Sequence, residues 1–128
     1  MTSPPNYQSN PAAAIPVWIA SSPTPVTPPT PFPATIASSG TYDSGLIAST
    51  GPSILFGAKL VTEAMTMTLI RYVDAAGLLV LDTTTQAVTA GATGTISMAD
   101  GQIFSAYRVQ ITNTGAGTGT LTAALVQG

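Results

Sequence analysis

Residues 54–73 read Ile54-Leu-Phe-Gly-Ala-Lys-Leu-Val-Thr-Glu-Ala-Met-Thr-Met-Thr-Leu-Ile-Arg-Tyr-Val73. Side chains of opposite character alternate through most of this stretch, and a period of two marks a strand with one buried face. Ile54, Phe56, Ala58 and Leu60 share one face of its first half. Met65, Met67, Leu69 and Val73 share one face of the second, with Thr66 and Thr68 opposite. Threonine suits outward positions, because its β-branch favours extended backbone and its hydroxyl can meet water. The stretch therefore predicts two strands, near 53–62 and 64–73, each with an identifiable core face.

The pattern continues on both sides. Tyr107, Val109 and Ile111 alternate with Phe104, Arg108, Gln110 and Thr112, and Leu121, Ala123 and Leu125 alternate with Thr120 and Thr122. Further strands are expected near 45–49, 78–83, 86–89, 94–98, 103–113 and 118–127. Reversals fall at Asp74-Ala-Ala-Gly77, Ala99-Asp-Gly-Gln102 and Asn113-Thr-Gly115, where turn-forming residues separate apolar runs. Eight short strands with such punctuation predict an all-β, antiparallel β-sandwich, either jelly-roll or immunoglobulin-like. Leu78-Leu-Val-Leu81 is apolar on both faces, and Ile70 and Tyr72 lie opposite their strand's core face. Part of the outer surface is therefore expected to be covered, with a second copy as the candidate cover.

Upstream of residue 41 the composition changes abruptly. Ten of the eleven prolines lie between Pro4 and Pro33, whereas all twelve glycines lie from Gly40 onward, and no charged residue precedes Asp43. The run Pro23-Thr-Pro-Val-Thr-Pro-Pro-Thr-Pro-Phe-Pro33 fixes φ repeatedly and removes backbone donors, which excludes an ordinary helix or a central strand. Polyproline II geometry is its natural state. Residues 1–40 are accordingly read as an extended proline-rich arm and residues 41–128 as the sandwich domain. The arm carries large apolar groups that water does not favour, and Ile15, Trp18 and Phe32 are its expected partner-binding anchors. An equal reading of Val17-Trp18-Ile19 is a short strand on the chain's own domain.

Charge is scarce everywhere: Lys59, Arg71 and Arg108 are the only cationic side chains, against five acidic ones, and the formal net charge is −2. Ordinary soluble domains carry about a quarter charged residues. Three cations neutralise few phosphates, which argues against nucleic-acid binding. Cysteine and histidine are absent, which removes disulfides, thiolate or imidazole metal sites and histidine-dependent nucleophilic catalysis. The best apolar run, Ala12–Ala20, is interrupted by Pro16 and falls short of a membrane span. No cation precedes Lys59, so the positive region that opens a secretory signal is missing from the start of this sequence.

Few residues offer chemistry. Asp43-Ser44-Gly45 matches the Asp-Ser/Thr-Gly motif of aspartic proteases, but Gly40-Thr-Tyr42 before it is no apolar strand, and the nearest hydrophobic-hydrophobic-Gly element, ending at Gly57, follows too soon. Asp43 is expected to shape a turn. Asp74, Asp82 and Asp100 lack the spacing of a calcium loop and read as turn or strand-end residues. Arg71 and Arg108 are expected in structural ion pairs, with Asp74, Asp82 or Glu63 as partners, or at an interface. Tyr42, Tyr72 and Tyr107 are not clustered as a sugar site would have them. No catalytic, cofactor-binding or metal-binding residue is assigned.

Phe104-Ser-Ala-Tyr-Arg-Val-Gln-Ile-Thr-Asn-Thr-Gly115, followed by a Thr-rich final strand, resembles a closing pattern of small β-sandwich structural proteins of tailed bacteriophages. Thr68-Leu-Ile-Arg-Tyr-Val-Asp-Ala-Ala-Gly77 resembles its partner strand, and together the resemblance spans residues 60–125. It implies a non-enzymatic virion component on the capsid surface: a cement or decoration subunit that braces neighbouring capsid subunits through its sandwich and N-terminal arm. A tail-fibre, baseplate or other appendage subunit binding a receptor or glycan is the alternative. The implied partners are the major capsid protein and copies of the chain itself in a homo-oligomer, with no cofactor, nucleic acid or membrane.

Overall fold

The alternating stretch of residues 54–73 does not fold back on itself within one sheet. In the computed structural model, which describes residues 23–128, its two strands lie in different sheets. They are β5 (Ile54–Val61) and β6 (Met65–Tyr72). The three residues between them carry the chain across, and Thr62 takes a left-handed φ of 74° to do so, a conformation that costs a β-branched residue energy.

Ten strands make up the described residues: β1 (Thr24–Pro25), β2 (Thr35–Ile36), β3 (Thr41–Asp43), β4 (Ile47–Ala48), β5, β6, β7 (Val80–Val88), β8 (Thr93–Met98), β9 (Ala106–Asn113) and β10 (Gly119–Gln127). One sheet runs β1-β10-β5-β8 and the other β3-β9-β6-β7, with β2 also on β10 and β4 also on β9. Every pairing is antiparallel. There is no helix among the described residues, and the two sheets form an all-β sandwich.

The core lies between them and follows the alternation. Ile54, Phe56, Ala58 and Leu60 from one sheet meet Met65, Met67, Leu69, Tyr107, Val109 and Ile111 from the other, all buried, with Leu121 and Leu125 alongside. Burying such side chains is the main stabilising term, at about 1.5–3 kcal/mol each.

Several elements depart from the sequence reading. The strands expected near 78–83 and 86–89 are one continuous strand, β7, held in register with β6 from Arg71↔Asp82 to Met65↔Val88. Leu78 and Leu79 belong instead to the preceding turn, where the Asp74 carboxylate accepts hydrogen bonds from both of their amides and Gly77 takes a φ of 73°. The strand expected near 45–49 is shortened to β4, and the unexpected β3 precedes it, the two set apart by Gly45 at φ 77°. Ser44 bridges the gap: its hydroxyl accepts the Val109 amide at 3.0 Å, in place of a backbone carbonyl. Val73, expected in the core, is half exposed, because a register shift between Arg71 and Tyr72 ends the alternation. Phe104, expected to face outward, is buried, because it precedes β9 and escapes that strand's alternation.

Pairing also begins before residue 41. Thr24 and Pro25 lie opposite Gln127 and Val126, and Thr35 and Ile36 lie opposite Thr120 and Gly119. The second half of the proline-rich stretch thus forms the edge of a sheet, a position that tolerates proline.

Candidate functional site

Between β1 and β2 the chain leaves its sheet and straps the open side of the sandwich. Val26 donates to the Leu125 carbonyl at 2.8 Å, after which Pro28 and Pro29 have no amide to offer. Thr30 then donates to Ser44 of the opposite sheet at 3.0 Å, and the Ala34 carbonyl accepts the Leu121 amide at 2.9 Å as the chain returns. At the middle of the strap Phe32 turns inward. Its ring lies 5.0 Å from that of Tyr42 and stacks at 6.3 Å on Phe56, centroid to centroid, while the Tyr42 hydroxyl donates to the Thr30 carbonyl. Burial and the neighbouring Asp43 charge push the Tyr42 phenol up to about 12. Phe32, expected as an anchor for a partner, is half-buried on its own sandwich. Ile15 and Trp18, the other two expected anchors, lie outside the described residues.

Five of the eight charged residues form two groups. Arg71 sits at an inward position of β6 with a fully buried side chain. Its Nε donates to Asp82 Oδ1 at 2.9 Å, and its Nη1 and Nη2 donate to Asp100 at 3.0 and 2.8 Å. The guanidinium also lies 5.4 Å from the centre of the Phe104 ring, a cation–π distance. Arg71 thereby ties the β6–β7 pair to the loop that crosses from β8 to β9. These hydrogen bonds, with one from the Gln102 amide, pull the Asp100 carboxyl down to about 2. Asp82 was among the partners expected for Arg71; Asp100 was not.

Arg108 pairs with Asp43 at 3.1 Å, a partner the sequence reading did not name. Asp43 also accepts the Gln110 side-chain amide at 2.7 Å and the Gly45 backbone amide at 2.8 Å. Burial works against its charge, but these bonds and Arg108 outweigh it and hold the carboxyl below its ordinary range. Asp43-Ser44-Gly45 is thus occupied as a turn inside the sheet. Asp74 likewise serves its own turn, where the Leu79 and Leu78 amides lower its pKa. Among the described residues no three acidic side chains converge on one point.

The most distinctive surface is one end of the sandwich. The loops 49–53, 73–79 and 99–105 meet there, at the start of β5, β7 and β9 and the end of β6, β8 and β10. Ile103 is 90% exposed, Leu78 80% and Leu79 60%, with Val73 and Val80 more than half exposed. Large exposed apolar groups gathered at one end of a sandwich, in a chain poor in charge, are typical of surfaces that other molecules cover. Beside it opens a cavity of about 320 Å³ with mainly apolar walls, lined by Ser49, Gly51, Pro52, Gly101, Ile103 and Phe104. Gln127 braces the rim: its Nε2 donates to Ser49 Oγ at 3.1 Å and its Oε1 accepts the Thr50 amide at 3.1 Å. Leu78–Leu81 stood out in sequence as apolar on both faces, but nothing local pointed to the cavity, whose walls come from two loops far apart in the chain.

No family model, curated protein or solved structure matches this chain.

Proposed function

We propose that the protein is a capsid cement or decoration subunit of a tailed bacteriophage, bracing neighbouring capsid subunits through its sandwich and its N-terminal arm. The observation that carries this reading is the apolar end of the sandwich, because an uncharged arm rich in large apolar residues leads into it. Thr24, at the start of the described chain, lies opposite Gln127, which braces the rim of that end. A free monomer gains nothing from such a surface, whereas a subunit of a large assembly buries it.

The strand order supports the same reading. With β1 and β2 counted as one interrupted strand, and β3 and β4 as another, eight strands remain. One sheet then runs first, eighth, third, sixth and the other second, seventh, fourth, fifth, which is the order of a jelly roll, an architecture used by viral capsid and lectin domains. Folds host many functions, so the surface carries the argument and the topology supports it. Few charges need to be desolvated when such a subunit is seated, which lowers the cost of a large contact.

With Phe32 engaged on its own sandwich, Ile15 and Trp18 are the anchors left for the capsid, and copies of the chain on neighbouring sites complete the brace. Co-sedimentation with empty capsid shells of tailed phages tests this reading. Saturable binding that Trp18→Ala weakens, with the sandwich still folded, is the expected result. Binding to no shell, together with a specific signal on a glycan array, refutes it in favour of an appendage subunit.

A further inference from the structure

We propose that in the free protein the segment Ile15-Pro-Val-Trp-Ile19 of the same chain docks on the apolar end of the sandwich, with the Trp18 ring in the cavity between Pro52, Ile103 and Phe104.

Three features of the molecule lead there. The first is where the described chain begins. Thr24 pairs with Gln127, and the Gln127 side chain is bonded to Ser49, Thr50 and Gly51 on the cavity rim. Thr24 is therefore about two strand spacings, on the order of 10 Å, from the cavity. The second is reach. Trp18 lies five positions before Pro23, and five extended steps span at most about 18 Å. Ala20-Ser21-Ser22 lie between the apolar segment and Pro23, and serine favours the turn that brings the segment back over the end.

The third is chemical match. The cavity is chiefly apolar and, at about 320 Å³, has the size of a small-molecule site. Phe104, one of its walls, has the Arg71 guanidinium at its ring, so a further aromatic ring extends an existing stack. Leu78 and Leu79 outside the cavity, with the exposed part of Ile103 at its wall, offer apolar surface to Ile15, Val17 and Ile19. No charged residue precedes Asp43, so docking desolvates no charged side chain of the segment. A short tether holds a segment at millimolar effective concentration near its own site, which favours the chain's own segment over another copy's at ordinary protein concentrations. Docking keeps the apolar anchor out of water until a partner offers it a better pocket.

The test uses the full-length free protein and no capsid, so its failure is distinct from failure of the cement reading. Trp18 is the only tryptophan, and its emission reports on this segment alone. The expected result is a blue-shifted emission maximum with weak iodide quenching, unchanged on dilution. Ile103→Asp is expected to move the emission to that of water-exposed indole and raise quenching severalfold, while Val61→Asp, at the opposite end of β5, leaves both unchanged. Ile103 is 90% exposed, so its replacement leaves the core intact, which far-ultraviolet circular dichroism checks. Water-like emission in the unmodified protein overturns the proposal. So does a blue shift that disappears on dilution, which assigns the occupant to a second copy, or one that Ile103→Asp leaves untouched.

Discussion

Replacing Phe32 by alanine tests whether the proline-rich strap is part of the folded sandwich or merely rests on it. The ring is half-buried between Tyr42 and Phe56, two side chains that are themselves buried. Truncating a fully buried phenylalanine costs about 3–5 kcal/mol. Phe32 is only half-buried, and the strap around it can relax into the space left, so about 2 kcal/mol is expected. For a domain of this size that lowers the melting temperature by roughly 10 °C. Urea unfolding of the variant, beside Thr27→Ala at an exposed strap position, measures the difference. A loss below about 0.5 kcal/mol, the range of ordinary surface substitutions, refutes the reasoning: the strap would then contribute no closure.

Three more expectations follow from the site geometry. Arg71→Met leaves Asp82 and Asp100 without their shared cation. Their side chains are 35% and 41% exposed and keep some water, so the expected loss is about 2 kcal/mol, below the 3–5 of a fully buried pair; an unchanged urea midpoint contradicts the tie. Tyr107→Phe removes a buried hydroxyl with no hydrogen-bond partner and is expected to raise stability by about 1 kcal/mol, whereas a loss on thermal unfolding shows that the hydroxyl has a role. Stability against pH is expected to be flat between about pH 5 and 9, since there is no histidine to titrate there. Asp100, near 2 when folded, and Asp43, also lowered, contribute stability that is full above their unfolded values and is lost as pH falls toward 2. Tyr42 and Tyr107, both pushed up to about 12 by burial, contribute stability that is full below about pH 10 and is lost as pH rises through 12. Urea midpoints across the range check both limbs, and a steady slope from pH 5 to 9 contradicts them.

Strands with a clean apolar face were legible from residues alone. β5, β6 and β10 lie within two residues of their expected limits, and every residue expected on the core face of β5 is buried. The failures have physical causes. β1 and β2 carry no alternation because each pairs through only two residues at a sheet edge, and the partner strand, not the local sequence, decides that pairing. β7 has no continuous apolar face, since most of its side chains are exposed, so its unbroken length comes from its ladder with β6. Arg71 occupies an inward position that a hydrophobic pattern cannot assign, because its compensation comes from Asp82 and Asp100, one across the ladder and one in a distant loop. The apolar end was visible only as the excess of leucine at 78–81; the cavity beside it exists because the β8–β9 crossing brings Ile103 and Phe104 beside Pro52.

The proposed bracing of a capsid is tested most directly by heating or denaturing empty phage shells with and without saturating protein and following their disruption by light scattering. A brace binds the intact shell more tightly than the disrupted one and must raise its stability by mass action. Saturable binding and shells that withstand higher temperature are expected, with Trp18→Ala reducing both effects. Saturable binding that leaves shell stability unchanged contradicts bracing.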